Sequence, residues 1–383
     1  MSDLGPSARA SLLDDCLPFW LEKGMDPTHG GLHTHLDRIG DVFDTDKSVW
    51  AQGRWAWMLA HLCRRVEHRP EWVEAAKSSW ALLERSGFDT DGRMFFSITG
   101  DGRPLRRRRY WFSECFTAMA AVELGALLED ESLCHRGETL LDAIWAVLEG
   151  ETTIEPKVDV RTRPAEGLGL PLIMLNVLQV FRDAGSPAGV ERRIDTCLDR
   201  IDRFVKPELG AVLEMTDLDG ELIDHAAGRQ LNPGHAIEAA SFVLAEALHR
   251  SDDSLADQGV QMLAWSFERG WDTEHGGLLS FVDVSGKPVV EYWHEMKFWW
   301  PQFEAVVAML RAWRCTGEQA WHDRAVQVQS WIDAHCKDPD GPEYFGYLRR
   351  DGSPSSLHKG DLWKGAFHIP RALLEIWQVS AGD

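Results

Sequence analysis

Five segments of the chain share one pattern, a short alternating run, a turn containing glycine and a second short run: 29–44, 91–105, 210–223, 276–290 and 344–356. Each reads as a β-hairpin. The turn glycines, Gly40, Gly102, Gly220, Gly286 and Gly352, are spaced 62, 118, 66 and 66 residues apart. The long interval holds two repeats, so a sixth hairpin is expected near residue 160. A period of about sixty residues repeated six times fills the chain, and such a period marks a closed or stacked repeat architecture. No domain boundary is needed, and 1–383 reads as a single domain.

Between the hairpins lie twelve helical patterns, near 8–24, 46–67, 71–86, 113–129, 132–149, 168–183, 187–205, 234–250, 254–269, 295–315, 318–336 and 360–379. The even members, such as V-W-A-Q-G-R-W-A-W-M-L-A and L-P-L-I-M-L-N-V-L, are apolar nearly all round, as buried helices are. The odd members carry charge on one face. Two concentric rings of six follow, an all-α (α/α)6 barrel with even helices inside. Each hairpin precedes an even helix, so hairpins and inner-helix N-termini share one end, where the pocket is expected to open.

The stretch G-R-Q-L-N-P-G-H-A-I-E, residues 228–238, reads as a helix start aimed at that pocket. Asn232 is a good N-cap, Pro233 suits the first helical position, and His235 falls in the first turn. The positive end of the helix dipole disfavours imidazolium there, so the ring is expected to be neutral at pH 7 and able to take a proton. Glu304 in W-W-P-Q-F-E, His368 in F-H-I-P-R and Arg54 in A-Q-G-R-W also lie on even helices. Apolar patterning alone thus brings four polar residues to one cavity. Two histidines with an arginine and a glutamate suit deprotonation next to a carbonyl, one base on each face of the carbon and the cation stabilising the enolate.

Glu238, one turn beyond His235, could orient that ring or bind a hydroxyl. Glu114 and Asn176 are further binding candidates. Trp300 and Trp363 lie where a ring could stack on a sugar, and the balance of 18 Trp to 4 Tyr is in keeping with such walls, although any one Trp also suits a core.

Other chemistries are less well supplied. His29, His33 and His35 alternate onto one hairpin face without H-E-x-x-H or a clear carboxylate partner, so they read as surface residues and no metal site is expected. A glycosidase needs two catalytic carboxylates, and the histidines are the better-placed pair. A binding protein without catalysis remains if each histidine is only a core residue. No phosphate loop or G-x-G-x-x-G is present, and Arg106 to Arg109 read as a solvated turn that could also hold an anion. The net charge of −21 argues against nucleic acid and anionic membrane surfaces. No apolar run is long enough to span a bilayer, no export signal stands at the N-terminus, and the seven scattered cysteines read as reduced, so a cytoplasmic protein is expected.

Six motifs, F-D-T-D-K-S-V-W-A-Q-G-R, R-R-Y-W-F-S-E-C-F, G-R-Q-L-N-P-G-H-A-I-E, H-G-G-L-L-S-F, E-M-K-F-W-W-P-Q-F-E and D-L-W-K-G-A-F-H-I-P-R, occur in the order in which the N-acylglucosamine 2-epimerase family has them. The chain resembles that family from about residue 28 to 372. The resemblance implies an (α/α)6 barrel, frequent homodimers and cofactor-independent epimerisation of sugars at C2. Matched motif by motif, Arg54, His235, Glu304 and His368 resemble the family's essential residues, with the histidines as acid/base pair. Members acting on N-acetylglucosamine often respond to ATP through a Gly-rich loop before the sixth helix. Here that region reads E-T-T-I-E-P-K-V-D-V-R-T-R-P, without such glycines, which sets ATP as an allosteric activator in question. Related branches epimerise cellobiose or mannose, or isomerise mannose to fructose, and remain alternatives.

Overall fold

The computed structural model describes residues 4–107, 111–154, 159, 161–185 and 189–382. A helical segment at 4–24 (α1), with π-helical turns at Ser11–Cys16 and Trp20–Gly24, is followed by α2 (Val49–Arg65), α3 (Pro70–Ser86), α4 (Phe112–Leu128), α5 (Glu131–Leu148) and α6 (Gly169–Asp183). The second half contains α7 (Val190–Asp202), α8 (Pro233–Arg250), α9 (Asp253–Gly270), α10 (Trp299–Thr316), α11 (Gln319–His335) and α12 (His368–Ala381). Even helices form the inner ring and odd helices the outer one, as their patterning predicts: α4 buries Ser113 through Gly125 without a break, whereas α7 buries only Val190, Ile194, Cys197 and Ile201 along one stripe. One apolar core runs from Leu4 to Ile376, and Phe367 closes the ring against Trp57 of α2 and Phe116 of α4. No helix among the described residues is long and apolar enough to cross a membrane.

The five turn glycines all have positive φ, from 73° to 96°, the conformation in which glycine lacks the Cβ penalty. Strand pairing differs from the expected hairpins in two of the five segments, 210–223 and 276–290. The runs at 35–44 and 95–107 fold back on themselves, as does 347–355 through the Leu348–Pro354 bridge and Ser355 N donating to Tyr347 O, but Ala211–Val212 pairs with Val205–Lys206 and Met215–Thr216 with Glu166–Gly167. Val282–Asp283 pairs with Gln230–Leu231, and Tyr347–Leu348 with Lys297–Phe298. For Met215–Thr216, Val282–Asp283 and Tyr347–Leu348 the paired edge is the segment that leads into inner helix α6, α8 or α10. The same lateral bond links Lys47–Ser48 to 97–98 and Leu36 to Gly360. The rim is therefore stitched from repeat to repeat. Residues 155–158 and 160, in the region of the hairpin expected near residue 160 and of the segment bearing on ATP, lie outside the described residues, as do Arg108 and Arg109.

Two inner helices start from the same buried clamp. Lys47 Nζ donates to Asp26 Oδ2 (2.6 Å), Gly30 O and Gly100 O, and Lys297 Nζ donates to Asp272 Oδ2 (3.1 Å), Gly276 O and Arg350 O. Five residues on from each lysine, Gln52 and Gln302 bond both the N–H and the C=O of Leu32 and Leu278. Two residues beyond each glutamine stand Arg54 and Glu304. An advance of two residues turns about 200° round a helix, so fixing the glutamine outward aims the next polar group inward. At the far end, buried Glu123 binds His61 and Arg64, and buried Glu246 binds Gln179, Arg182 and Arg250.

His35 departs from the surface role expected of it. It is buried, with Nδ1 2.9 Å from Asp46 O, while His29 is exposed.

Candidate active site

A cavity of about 300 Å3 opens among the inner helices. Of the residues singled out from sequence, Arg54, Asn176, His235, Glu238, Trp300, Trp363 and His368 line it. Glu304 and Glu114 do not. The Glu114 carboxylate accepts from Arg93 Nε (2.7 Å) and Met94 N (2.9 Å), so it ties a strand to the start of α4 in place of the expected binding role.

His235 stands where its helix start predicts. Asn232 Oδ1 accepts from His235 N (3.2 Å), and Pro233 opens α8. Its ring Nδ1 lies 3.0 Å from both carboxylate oxygens of Glu214, a residue with no assigned role in the sequence reading. Glu214, not Glu238, orients this ring. Burial disfavours the imidazolium, but the Glu214 charge, its hydrogen bond and the more distant Glu238 outweigh burial and raise the pKa above the ordinary histidine value. This runs against the lowered proton affinity expected from the helix dipole. A full charge at 3 Å exceeds the partial charge of a helix end.

His368 is the first residue of α12, which begins eight residues later than its pattern suggests. Asp361 Oδ1 accepts from Trp363 N and Lys364 N, and Lys364 is held by Glu343, so residues 359–367 form a pinned loop. His368 Nδ1 lies 2.8 Å from Glu304 Oε1. That same oxygen accepts from Arg371, which also donates to Glu238 Oε1 at 3.0 Å. Burial, reinforced by the positive charges of Arg54 and Arg371, brings the His368 pKa down to about 4 despite its carboxylate. Glu304 is held ionised: burial opposes its charge, but Arg371 and His368 bring it down to about 2. Glu238 moves up, through burial and repulsion from Glu304.

The two histidines therefore share one construction. Each has Nδ1 against a carboxylate, which leaves Nε2 for the cavity. The Trp300 ring lies against both, 5.2 Å from His235 and 5.8 Å from His368 between centroids. Gly234 makes room for it, since a Cβ there would stand 2.5 Å from the indole. Arg54 is stacked among Phe116 (4.0 Å), Trp50 (4.6 Å) and Phe367 (4.8 Å), and its Nε has no hydrogen-bond partner among the described residues. Burial lowers its pKa to about 9, still a cation at neutral pH. Glu238, Glu304 and His368 offer ligand atoms within 4.8 Å of one another, but the Arg371 guanidinium already supplies the cation that this cluster balances.

The N-acylglucosamine 2-epimerase (GlcNAc 2-epimerase) family matches residues 30–370. The chain belongs to the N-acylglucosamine 2-epimerase family. Within that family, it is 36% identical to the N-acylglucosamine 2-epimerase of Bos taurus over 94% of this chain and 87% of the bovine one. It is 33% identical to the Homo sapiens N-acylglucosamine 2-epimerase over 94% of this chain and 86% of the human one. In fold, this epimerase-family chain is similar to the cellobiose 2-epimerase of Spirochaeta thermophila DSM 6192, with a TM-score of 0.84, 22% identity and coverage of 98% and 96%. The (α/α)6 barrel expected from the repeat is the observed fold.

Glu214 is not among the residues expected from sequence, nor is Arg371, although F-H-I-P-R contains it. Arg371 lies three residues after His368 on the same helical face, a spacing that could have linked them. Glu214 had a fainter signal, an acid directly after the buried run Ala211, Val212 and Leu213.

Proposed function

We propose that this chain is a cofactor-independent sugar 2-epimerase that interconverts N-acylglucosamine and N-acylmannosamine. The observation that carries this reading is the pair of carboxylate-held imidazoles on one cavity, His235 with Glu214 and His368 with Glu304. In the open-chain aldose, C2–H is acidic because its electrons can move into the carbonyl. Nε2 of one histidine takes the C2 proton, the C–H pair forms the C1–C2 double bond, and the carbonyl oxygen becomes an enolate oxygen within reach of the Arg54 cation. Nε2–H of the other histidine returns a proton to C2 from the opposite face, and the inverted aldose leaves. Trp300 gives the sugar an apolar wall beside both rings.

The roles of Arg54, His235 and His368 are supported by their positions on the cavity, and that of Glu304 by its bond to His368. The segment E-T-T-I-E-P-K-V-D-V-R-T-R-P lacks the glycines associated with ATP response, so ATP is expected to leave the rate unchanged. The resemblance favours a homodimer, and seven free thiols suit a reducing cytoplasm.

Proton NMR in deuterated water, with N-acetylglucosamine, N-acetylmannosamine, glucose and mannose, with and without ATP, tests the reading. Deuterium is expected at C2 of both epimers, and His235→Ala or His368→Ala should abolish its appearance. Ketose as the product would reassign the chain to aldose–ketose isomerisation, and full activity in both variants would reject the two-histidine mechanism.

A further inference from the structure

The two carboxylate–histidine pairs look alike but are not electrostatically equal. Glu304 shares the oxygen that faces His368 with Arg371, and Arg54 adds a second positive charge to that ring's surroundings. The side chain of Glu214 has no bonded partner other than His235 among the described residues, and Glu238 on the same helix adds negative charge to the His235 side. The remaining ring neighbours, Trp300, Trp299, Phe367 and the Asn232 amide, carry no charge.

We infer that Glu214 is a positioning residue that holds the proton of the resting pair on His235, so that the free enzyme waits as a His235 imidazolium opposite a neutral His368. The assignment rests on the proposed epimerase reading and deepens it. In the first half-reaction from this state, neutral His368 Nε2 takes the C2 proton and the C–H electron pair passes into the enolate. The His235 Nε2–H bond then breaks as its proton joins the other face of C2. The products are the inverted sugar, protonated His368 and neutral His235. The proton must then return from His368 to His235, through solvent or sugar hydroxyls, before the resting state is restored.

Activity therefore needs His368 deprotonated and His235 protonated. The acid limb of the kcat/KM profile belongs to His368 and the alkaline limb to His235. Glu214→Gln keeps a hydrogen-bond acceptor for Nδ1–H and removes only the charge. Its alkaline limb is expected to move about one pH unit or more toward acid, the usual effect of removing an opposite charge at this range, with the acid limb unmoved. Glu214→Asp, which keeps the charge, is expected to retain the wild-type limb.

The test measures C2 proton exchange of N-acetylmannosamine against pH for wild type and both variants. The ring signals of 15N-histidine-labelled free protein, assigned with His235→Asn, are followed alongside. A lower His235 titration and a shifted alkaline limb in Glu214→Gln support the assignment. A uniform fall of the profile with neither limb moved, or an unchanged His235 titration, overturns it and leaves Glu214 as a packing residue. Wild type without exchange on any sugar would instead strike at the function. The titration in free protein still decides whether Glu214 controls His235.

Discussion

In the proposed mechanism Arg54 is prepared for an enolate oxygen by its surroundings. Its guanidinium sits among three aromatic faces, and its Nε has no hydrogen-bond partner among the described residues, so that donor is available to a substrate oxygen. Arg54→Lys should keep a cation but lose the planar stack, and kcat is expected to fall about 100-fold, as when an oxyanion donor is removed. A smaller effect on KM than on kcat in steady-state assays checks that the loss falls on the enolate. Glu304 acts one step back. Glu304→Gln leaves the bond geometry near His368 but releases Arg371 from one of its two carboxylates, and kcat is expected to fall about 10- to 100-fold. Both effects live at the residue scale because each follows from one partner set.

At the scale of elements, the inner helices are aimed by their starts. Gln302 satisfies both backbone groups of Leu278 in a buried position, so Gln302→Leu strands a donor and an acceptor away from water. The loss is about 2 kcal/mol or more, read as a lower urea midpoint at unchanged m-value. Glu304 lies two residues further on the same helix, so residual activity should fall with the helix start even where the fold survives. Gly234→Ala brings a methyl to 2.5 Å from the Trp300 ring. The indole must move off the two histidines, and a higher KM with modest loss of stability is expected from kinetics and thermal melts. The repeated motif D-x-x-H-G-G-L, at Asp26–Leu32 and again at Asp272–Leu278, is the sequence trace of the clamp. It was visible in the sequence, but its meaning needed the lysine that closes it.

For the whole molecule, the clamps make acid the weak direction. Asp26 is buried, which opposes its charge, yet Lys47 and the N–H groups of His29 and Thr28 hold its pKa at about 2 against an ordinary 3.8. Hydrogen bonds from Arg38 and Lys359 outweigh burial at Asp338, and those from Arg350 and Lys297 outweigh it at Asp272, so both are depressed further. A depressed carboxylate pKa gives stability that is complete above the unfolded value and is lost as pH falls through the folded value, about 2 kcal/mol for Asp26 alone. Melting temperature should therefore be steady above about pH 5 and drop steeply below about pH 4, and Asp26→Asn should flatten part of that drop. The periods of about sixty and 3.6 residues determined the ring of twelve helices, because apolar faces must be buried whatever the neighbours are. The cap at Asn232 likewise placed His235 in the first turn of α8. Strand partners and the charged surroundings of the two histidines were decided only by the tertiary structure. Two-residue strands carry no register of their own, and the charges that set the histidines come from Glu214, 21 residues upstream of His235, and from Glu304, 64 residues before His368. Electrostatic work depends on distances of about 3 Å, and those distances exist only once the ring has closed.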